Sequence, residues 1–454
     1  MNIPRVIAAG VLSVAFAASA VAAVSPEEAK KLGGELTLFG SIKAGNADGS
    51  IPAYTGGLAT PPAGYDPNSG KYVDPFASEK PLYRITAQNM DKYADKLSEG
   101  VKHLLQINPD YYIDVWPTHR TAAYPQNVLE ATVRNATTCK TIRDQLGVDK
   151  GCRGGLPFPI PKTGYEVMWN KVLAYNGPGA WKTYGTRSYI IPTNGVPVLT
   201  SIMENYTEKP YYQVDRSDRS DNMLVRLSSK TSAPARKAGE ATGYADFLDP
   251  AESPRKAWSY APGQRRIKMA PEFSYDTPVS TIGGAASYDE LFLFTGLMDR
   301  FDFKLVGKKE MYIPYNNYKL QLCKLNQWAM PKHMNPDCER WELHRVWVVE
   351  ATLKPGMRHV NSKRMYYFQE DDYTGGLMDS WDQAGKLYRT GLAYAYTAYN
   401  VPTPYGPAFT FYDFNKGIYA RQVDLSEPDS KAFHVAADPE RSLNPEAVAG
   451  AGIR

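Results

Sequence analysis

Beyond its first 24 residues the chain has no apolar run that reaches the roughly 20 residues a membrane-crossing helix needs. It has little excess of charge: 52 basic and 48 acidic residues leave +4, which gives no electrostatic footprint for nucleic acid. Cysteine is scarce at 4, and histidine at 6. The histidines (His103, His119, His333, His344, His359 and His434) are scattered, and none stands at ligand spacing from a cysteine or another histidine, so no metal is assigned. There is no G-x-S-x-G elbow, no P-loop, no H-E-x-x-H and no G-x-G-x-x-G after a strand. No catalytic residue and no cofactor are therefore named.

What is present describes a folded chain. Hydrophobic residues make up 43% and charged residues 22%. With 36 Gly, 34 Pro and 32 Tyr, turns and aromatic strands are expected over long helices. Residues 1–23 read as a cleavable secretory signal: Arg5 is the positive start, Val6 to Ala18 the apolar stretch, and Val21-Ala22-Ala23 the small-residue site. The location implied is the periplasm. The cysteines agree with export. Four allow three connectivities, and the local one, Cys139–Cys152 with Cys323–Cys338, is preferred over the other pairings and over free thiols.

Along the chain, Ser25-Pro26-Glu27-Glu28 starts a short helix. Residues 40–82 read as a long loop, and Asn46-Ala47-Asp48-Gly49 as a plain turn, since the positions a calcium loop needs hold Ala44 and Thr55. Three- and four-residue steps predict a helix over 86–107 and a second over 126–146. Ser201–Asp215, Asn222–Ser228 and Ala257–Ile267 alternate as strands, and 341–399 reads as an antiparallel meander. Both faces of 341–351 are apolar in places, so each is covered or one lines a cavity. Ser287-Tyr288-Asp289-Glu290 is a capping box, and the apolar residues after it predict an inserted helix near 288–300. The tail from Leu425 looks polar and loosely ordered.

The sharpest compositional feature is aromatic side chains on strands. A cavity wall is expected from Trp258, Trp347, Tyr366 and Trp381, with Phe292 and Phe294 from the inserted helix. The bland alternative for each is core packing. His344 reads as structural or solvent-facing. Glu370-Asp371-Asp372 reads as a solvated turn ahead of an acid/base or cation site.

Some runs are specific enough to carry a resemblance. They are Trp258 to Arg266 (WSYAPGQRR), Leu305 to Asn316 (LVGKKEMYIPYN), Glu342 to Ala351 (ELHRVWVVEA) and Gly154 to Pro161 (GGLPFPIP), with Gly33 to Thr37 and Gly45 to Gly49 earlier. These resemble a Gram-negative family of unknown function described as outer-membrane lipoprotein-sorting-protein-like, over nearly the whole mature chain. The family is similar to the periplasmic lipoprotein carrier and to related lipid-binding half-barrels. That resemblance implies an α+β, mainly antiparallel fold: a large incomplete β-barrel with covering helices. It also implies partners: a lipid or other hydrophobic small molecule, an inner-membrane efflux-type transporter and an outer-membrane protein. Residues 24–160 have no counterpart in the carrier, and none of its functional residues is carried over.

The expected organisation is a signal at 1–23, a loop-rich and helical region at 24–160, a half-barrel at 161–424 and a tail at 425–454. The expected function is non-catalytic binding or carriage of a lipid or other hydrophobic molecule. The alternatives are a carbohydrate-active enzyme or binder using the carboxylate cluster, and an envelope assembly scaffold.

Overall fold

A computed structural model describes residues 23–215, 222–271, 273–438, 440 and 444–450. Apart from Ala23, the expected signal lies outside the described residues. Strands dominate: β1 (Tyr83–Ile85), β2 (Ile113–Trp116), β3 (Thr141–Ile142), β4 (Gly147–Val148), β5 (Ala180–Ile191), β6 (Val198–Glu208), β7 (Met223–Ala233), β8 (Ala241–Phe247), β9 (Lys256–Ala261), β10 (Arg266–Met269), β11 (Phe301–Pro314), β12 (Trp341–Leu353), β13 (Asn361–Gln369), β14 (Gly376–Asp382), β15 (Leu387–Ala398), β16 (Thr403–Asp413), β17 (Ile418–Asp424) and β18 (Lys431–Val435). The main helices are α1 (Pro26–Ala29), α2 (Glu99–Ile107), α3 (Gln126–Thr138) and α4 (Gly164–Val172).

One sheet organises the molecule. Strands β11 to β17, followed by β5 to β10, lie side by side, and every neighbouring pair is antiparallel. Among the described residues β11 pairs only with β12, and β10 only with β9, so the sheet ends on two open edges and does not close. This is the incomplete barrel with helices that the sequence led us to expect. Two additions flank it. β1 and β2 extend it through a parallel contact of Val115 with Trp341, and β18 pairs with the first half of β5. Residues before 160 thus contribute strands to the same sheet. The tail is more ordered than its polarity implied: besides β18, the helix Pro445–Gly450 buries Val448 and Ala449 against Trp258 and Tyr260.

The meander at 341–399 forms as read, because alternation and turns are both local signals. Both cysteine pairs are joined in the local pattern. Three helix expectations need correction. The first, 86–107, is a 3-10 segment Met90–Lys96 and then α2, separated at Leu97, which is extended; Ser98 caps α2 by accepting from the Val101 N–H. The second, 126–146, ends at Thr138. Cys139 is extended, and β3 and β4 form a hairpin through left-handed Arg143, Asp144 and Gln145. The third, 288–300, keeps only one 3-10 turn, Tyr288–Glu290, for the reason given below. The stretch expected as one strand at 257–267 is the β9–β10 hairpin, turned at Pro262–Gln264.

Both faces of β12 are covered. Val349 and Ala351 join one core with α3, α4 and the connection 270–300; Val346 and Val348 join another with α2, β1 and β2. The second layer depends on a close approach at Gly100, where a Cβ would meet Asp379 Oδ1 at 2.3 Å and Thr390 Cβ at 2.4 Å. Asp379 accepts from Ser98 and Thr390 hydroxyls at 3.2 and 2.8 Å, while its Oδ2 is buried with no partner. Burial pushes its carboxyl from 3.8 up to about 6, against the lowering effect of hydrogen bonds from Gly100, Thr390 and Ser98. The folded chain therefore holds a proton that the unfolded chain releases. This contribution to stability is complete below the unfolded value and lost as pH rises through the folded one. Between about pH 4 and 7 the protein should lose about 3 kcal/mol relative to Asp379→Asn, the size of a two-unit shift. Urea unfolding of both proteins across that range checks this, and parallel profiles would refute it.

Candidate binding face and its strap

The 31 residues from Ala270 to Arg300 connect one open edge of the sheet, β10, to the other, β11. To do so they cross the inner face. Thr200 of β6 donates its hydroxyl to the Thr281 carbonyl, Gly283 packs on Ile190 of β5, and Arg389 of β15 donates to the Gly284 carbonyl at 2.8 Å. We call this segment the strap.

Two buried charge clusters fix it. Glu290 pairs with Arg389 at 2.7 Å, and Arg389 also reaches Asp413 of β16 at 3.3 Å. Asp289 pairs with Arg364 of β13 and with His359, each at 3.0 Å. Asn361 adds a bond to Glu290 at 3.0 Å. Burial alone would raise both carboxyls. The charges of Arg364 and His359 on Asp289, and of Arg389 and Arg364 on Glu290, outweigh burial and hold both below the ordinary carboxylate value. Arg364 and Arg389 sit in the inward register of their strands, Arg364 with Tyr366 and Phe368, Arg389 with Gly391 and Ala393.

Past the anchors the strap lays apolar side chains on an aromatic wall. The Phe292 ring lies 5.1 Å from that of Phe409, and Phe294 lies 5.8 and 5.9 Å from Phe303 and Tyr366. Leu293 is fully buried beside Gly391. Three consecutive residues thus meet one sheet face. A helix sends successive side chains about 100° apart and cannot do this, so the expected helix is overridden. The chain instead takes left-handed φ values of 57° at Phe292 and 69° at Leu293. For bulky residues that geometry costs about 1–3 kcal/mol each.

Of the six expected wall residues, four share this core: Phe294 and Tyr366 are buried in it, and Phe292 and Trp347 pack against it. The structure puts the other two elsewhere. Trp258 faces the opposite side, under the C-terminal helix. Trp381 stands across from Lys363, whose Nζ lies 4.1 Å over its ring, at the end of β14. Among the described residues this core is built from the protein's own buried side chains. Two open clefts, about 390 and 480 Å³, lie away from the wall, one lined by Pro178 and His434 and the other by Pro197 and Leu325.

The acidic run 370–372 is not a solvated turn. Glu370, Asp371 and Asp372 are 2%, 1% and 2% exposed. Arg120 grips Asp371 with two bonds of 2.6 and 2.9 Å. Lys308 donates to Glu370 at 2.7 Å, and Tyr315 to Asp372 at 2.5 Å. Burial would raise Asp371, but Arg120, with Ser41 and Gln369, holds it below its ordinary value; burial raises Asp372 against the bond from Tyr315. Arg120 also donates to Ser41 Oγ and to the Lys43 carbonyl, so this cluster clamps the N-terminal wrap onto the sheet. His344 is structural: it is buried between Glu342 and Gln369 at 2.9 and 3.2 Å. Asn46 to Ser50 is a turn closed by Asp48 and Asn46 side chains.

Fold and face together define an open antiparallel half-barrel whose inner side is occupied by its own chain. Residues 84–449 match the family described as a protein of unknown function, DUF1329, and the chain belongs to that family, as the sequence resemblance implied. It is 40% identical to an uncharacterized protein of Pseudomonas aeruginosa over 450 residues, 98% of each chain. It is similar to the crystal structure of a domain from Vibrio parahaemolyticus proposed to be an outer membrane lipoprotein-sorting protein, at 11% identity and TM-score 0.41, covering 63% of this chain and 97% of that one. It is equally similar to a DUF1329 family protein from Desulfovibrio piger, at 11% identity and TM-score 0.41, covering 62% and 96%.

Removing one partner of a buried pair leaves the other charge stranded, at a cost of about 3–5 kcal/mol. Arg120→Met should destabilise the protein by that amount and open residues 41–54 to limited proteolysis before the sheet unfolds. Wild-type melting and wild-type cleavage rates would refute the clamp.

Proposed function

We propose that the protein is a non-catalytic carrier, in the periplasm, for a lipid or other hydrophobic molecule, and that the strap holds the ligand's place until it is displaced. The observation that supports this is the position of Phe292, Leu293 and Phe294. They lie in a strained backbone on an aromatic sheet face, in a segment bridging the two open edges. Apolar burial is worth about 25 cal/mol per Å². An acyl chain covering a few hundred Å² of that wall therefore gains several kcal/mol, while the strap's own gain there is reduced by its strained backbone. That difference favours exchange of strap for ligand. The secretory signal expected at residues 1–23 and the two local disulfides support an oxidising compartment. A transporter in the inner membrane and a protein of the outer membrane are the partners proposed for loading and delivery. The carboxylates a hydrolase would need at 370–372 are buried and engaged within the protein, Asp371 by Arg120, Glu370 by Lys308 and Asp372 by the Tyr315 hydroxyl, which favours binding over catalysis.

The test is native mass spectrometry of protein prepared from periplasm without detergent, followed by solvent extraction, together with titration of N-phenyl-1-naphthylamine. Extractable apolar mass is expected. Asp289→Asn with Glu290→Gln loosens the strap and should bind the probe at least tenfold tighter, about 1.4 kcal/mol. Phe294→Ala and Trp347→Ala should change its affinity. If all three proteins titrate like wild type, this face is not the binding site.

A further inference from the structure

Beside the aromatic wall, the inner face of β5 to β10 is built differently. Register places Thr183, Asn205, Ser229, Thr242 and Ser259 in one row across five strands, ending at Lys268 on the edge. The row is joined where it starts: Asn205 Nδ2 donates to Thr183 and Thr186 hydroxyls at 3.0 and 2.9 Å, and Ser229 donates to Asn205 Oδ1 at 2.7 Å. Asn205, Ser229, Thr242 and Ser259 are half-buried and reachable. On the same face Ser201, opposite Ser188, is fully buried with its hydroxyl unpartnered.

The side of the sheet decides the chemistry. The outward face of these strands carries cross-strand charges, Glu208 with Arg226 and Glu204 with Lys230. The inward row carries hydroxyls and one amide, with no charge before Lys268. The next inward row holds Leu227 and Tyr244, and Tyr244 meets the strap at Thr295, where Arg255 and Asp246 neutralise each other at 2.6 Å. Polarity therefore changes along one face, from aromatic wall through Leu227 and Tyr244 to uncharged donors and acceptors.

We propose that this row is the head-group subsite of the carrier, and that the ligand class is an amphiphile with a neutral, hydroxyl-rich head, a glycolipid. This rests on the carrier reading above. Strands stand about 4.8 Å apart, so the row offers a hydrogen-bonding group at each step along an extended glycan. An anionic head would find only Lys268 at the rim. A quaternary ammonium would find no carboxylate in the row.

The experiment compares three amphiphiles with one chain length, each below its micelle-forming concentration: dodecyl maltoside, dodecylphosphocholine and laurate. Wild type should bind the maltoside at least fivefold tighter than the other two. Thr242→Val with Ser259→Ala keeps side-chain size nearly constant while removing two hydroxyls. It should erase that preference and leave dodecylphosphocholine and N-phenyl-1-naphthylamine binding unchanged. Equal affinity for all three heads in the wild type overturns the subsite while leaving the carrier intact, as does a maltoside preference that survives in the variant. Tightest binding of laurate assigns the rim lysine instead and also overturns it. If no amphiphile and no probe binds, the carrier reading falls and the subsite with it.

Discussion

An open antiparallel sheet leaves one face to be covered by something else, and in this protein charge placed on that face fixes what covers it. Arg364 and Arg389 project from strands whose inward neighbours are aromatic or small. A buried guanidinium demands carboxylates. The strap supplies Asp289 and Glu290 side by side, and the sheet supplies Asp413. Once those pairs form, the path from one open edge to the other is fixed, and the three apolar residues that follow are delivered to the wall. The same device operates on the N-terminal side, where Arg120 reaches Asp371 across the wrap. Removing this ionic frame would add an uncovered aromatic face to the two edges that are already open, the conditions for association.

The two inner halves of the sheet divide the work between them. The half formed by β11 to β17 is mostly apolar apart from its charged anchors and is covered on both faces. The half formed by β5 to β10 has more half-buried positions and an inward row of uncharged polar side chains. The strap touches β6 and β5 at Thr281 and Gly283, lays Phe292 and Phe294 on the wall, and meets Tyr244 of β8 at Thr295, so it runs where the two kinds of surface adjoin. A ligand lying on both surfaces would have to match the change of polarity along its length.

The parts of this design that could be read from sequence were the local ones. The meander shows in alternation and turn residues, and the two disulfides in short spacing. The capping box at Ser287 was real, yet the helix expected after it was not, because one sheet face claims Phe292, Leu293 and Phe294 together and tertiary packing overrides propensity. The acidic run looked solvated because its partner, Arg120, lies 251 positions away. Trp258 and Trp381 looked like wall residues because alternation gives a face but not which face is inside. One signal was present and unread. Arg364 and Arg389 interrupt apolar inward registers, and a cation in such a position implies a carboxylate brought from elsewhere.

That the strap is held by ions, not by apolar contacts alone, bears on whether it can leave. Taking carboxylates and guanidinium groups out of water costs several kcal/mol each, and their attraction in the interior returns most of that. The net hold is therefore small, although each partner alone would be badly placed. In the proposed exchange a lifted strap would return Asp289 and Glu290 to water, and that part of its surface would have no cause to associate with another chain. An all-apolar strap would gain its full area on closing and expose it all on opening. Ionic anchors make closure specific in register while keeping the open state soluble, and the left-handed turn at Phe292 and Leu293 moves the balance further toward release. A segment meant only to complete a core would need neither the anchors nor the strain, and a segment meant to give way benefits from both.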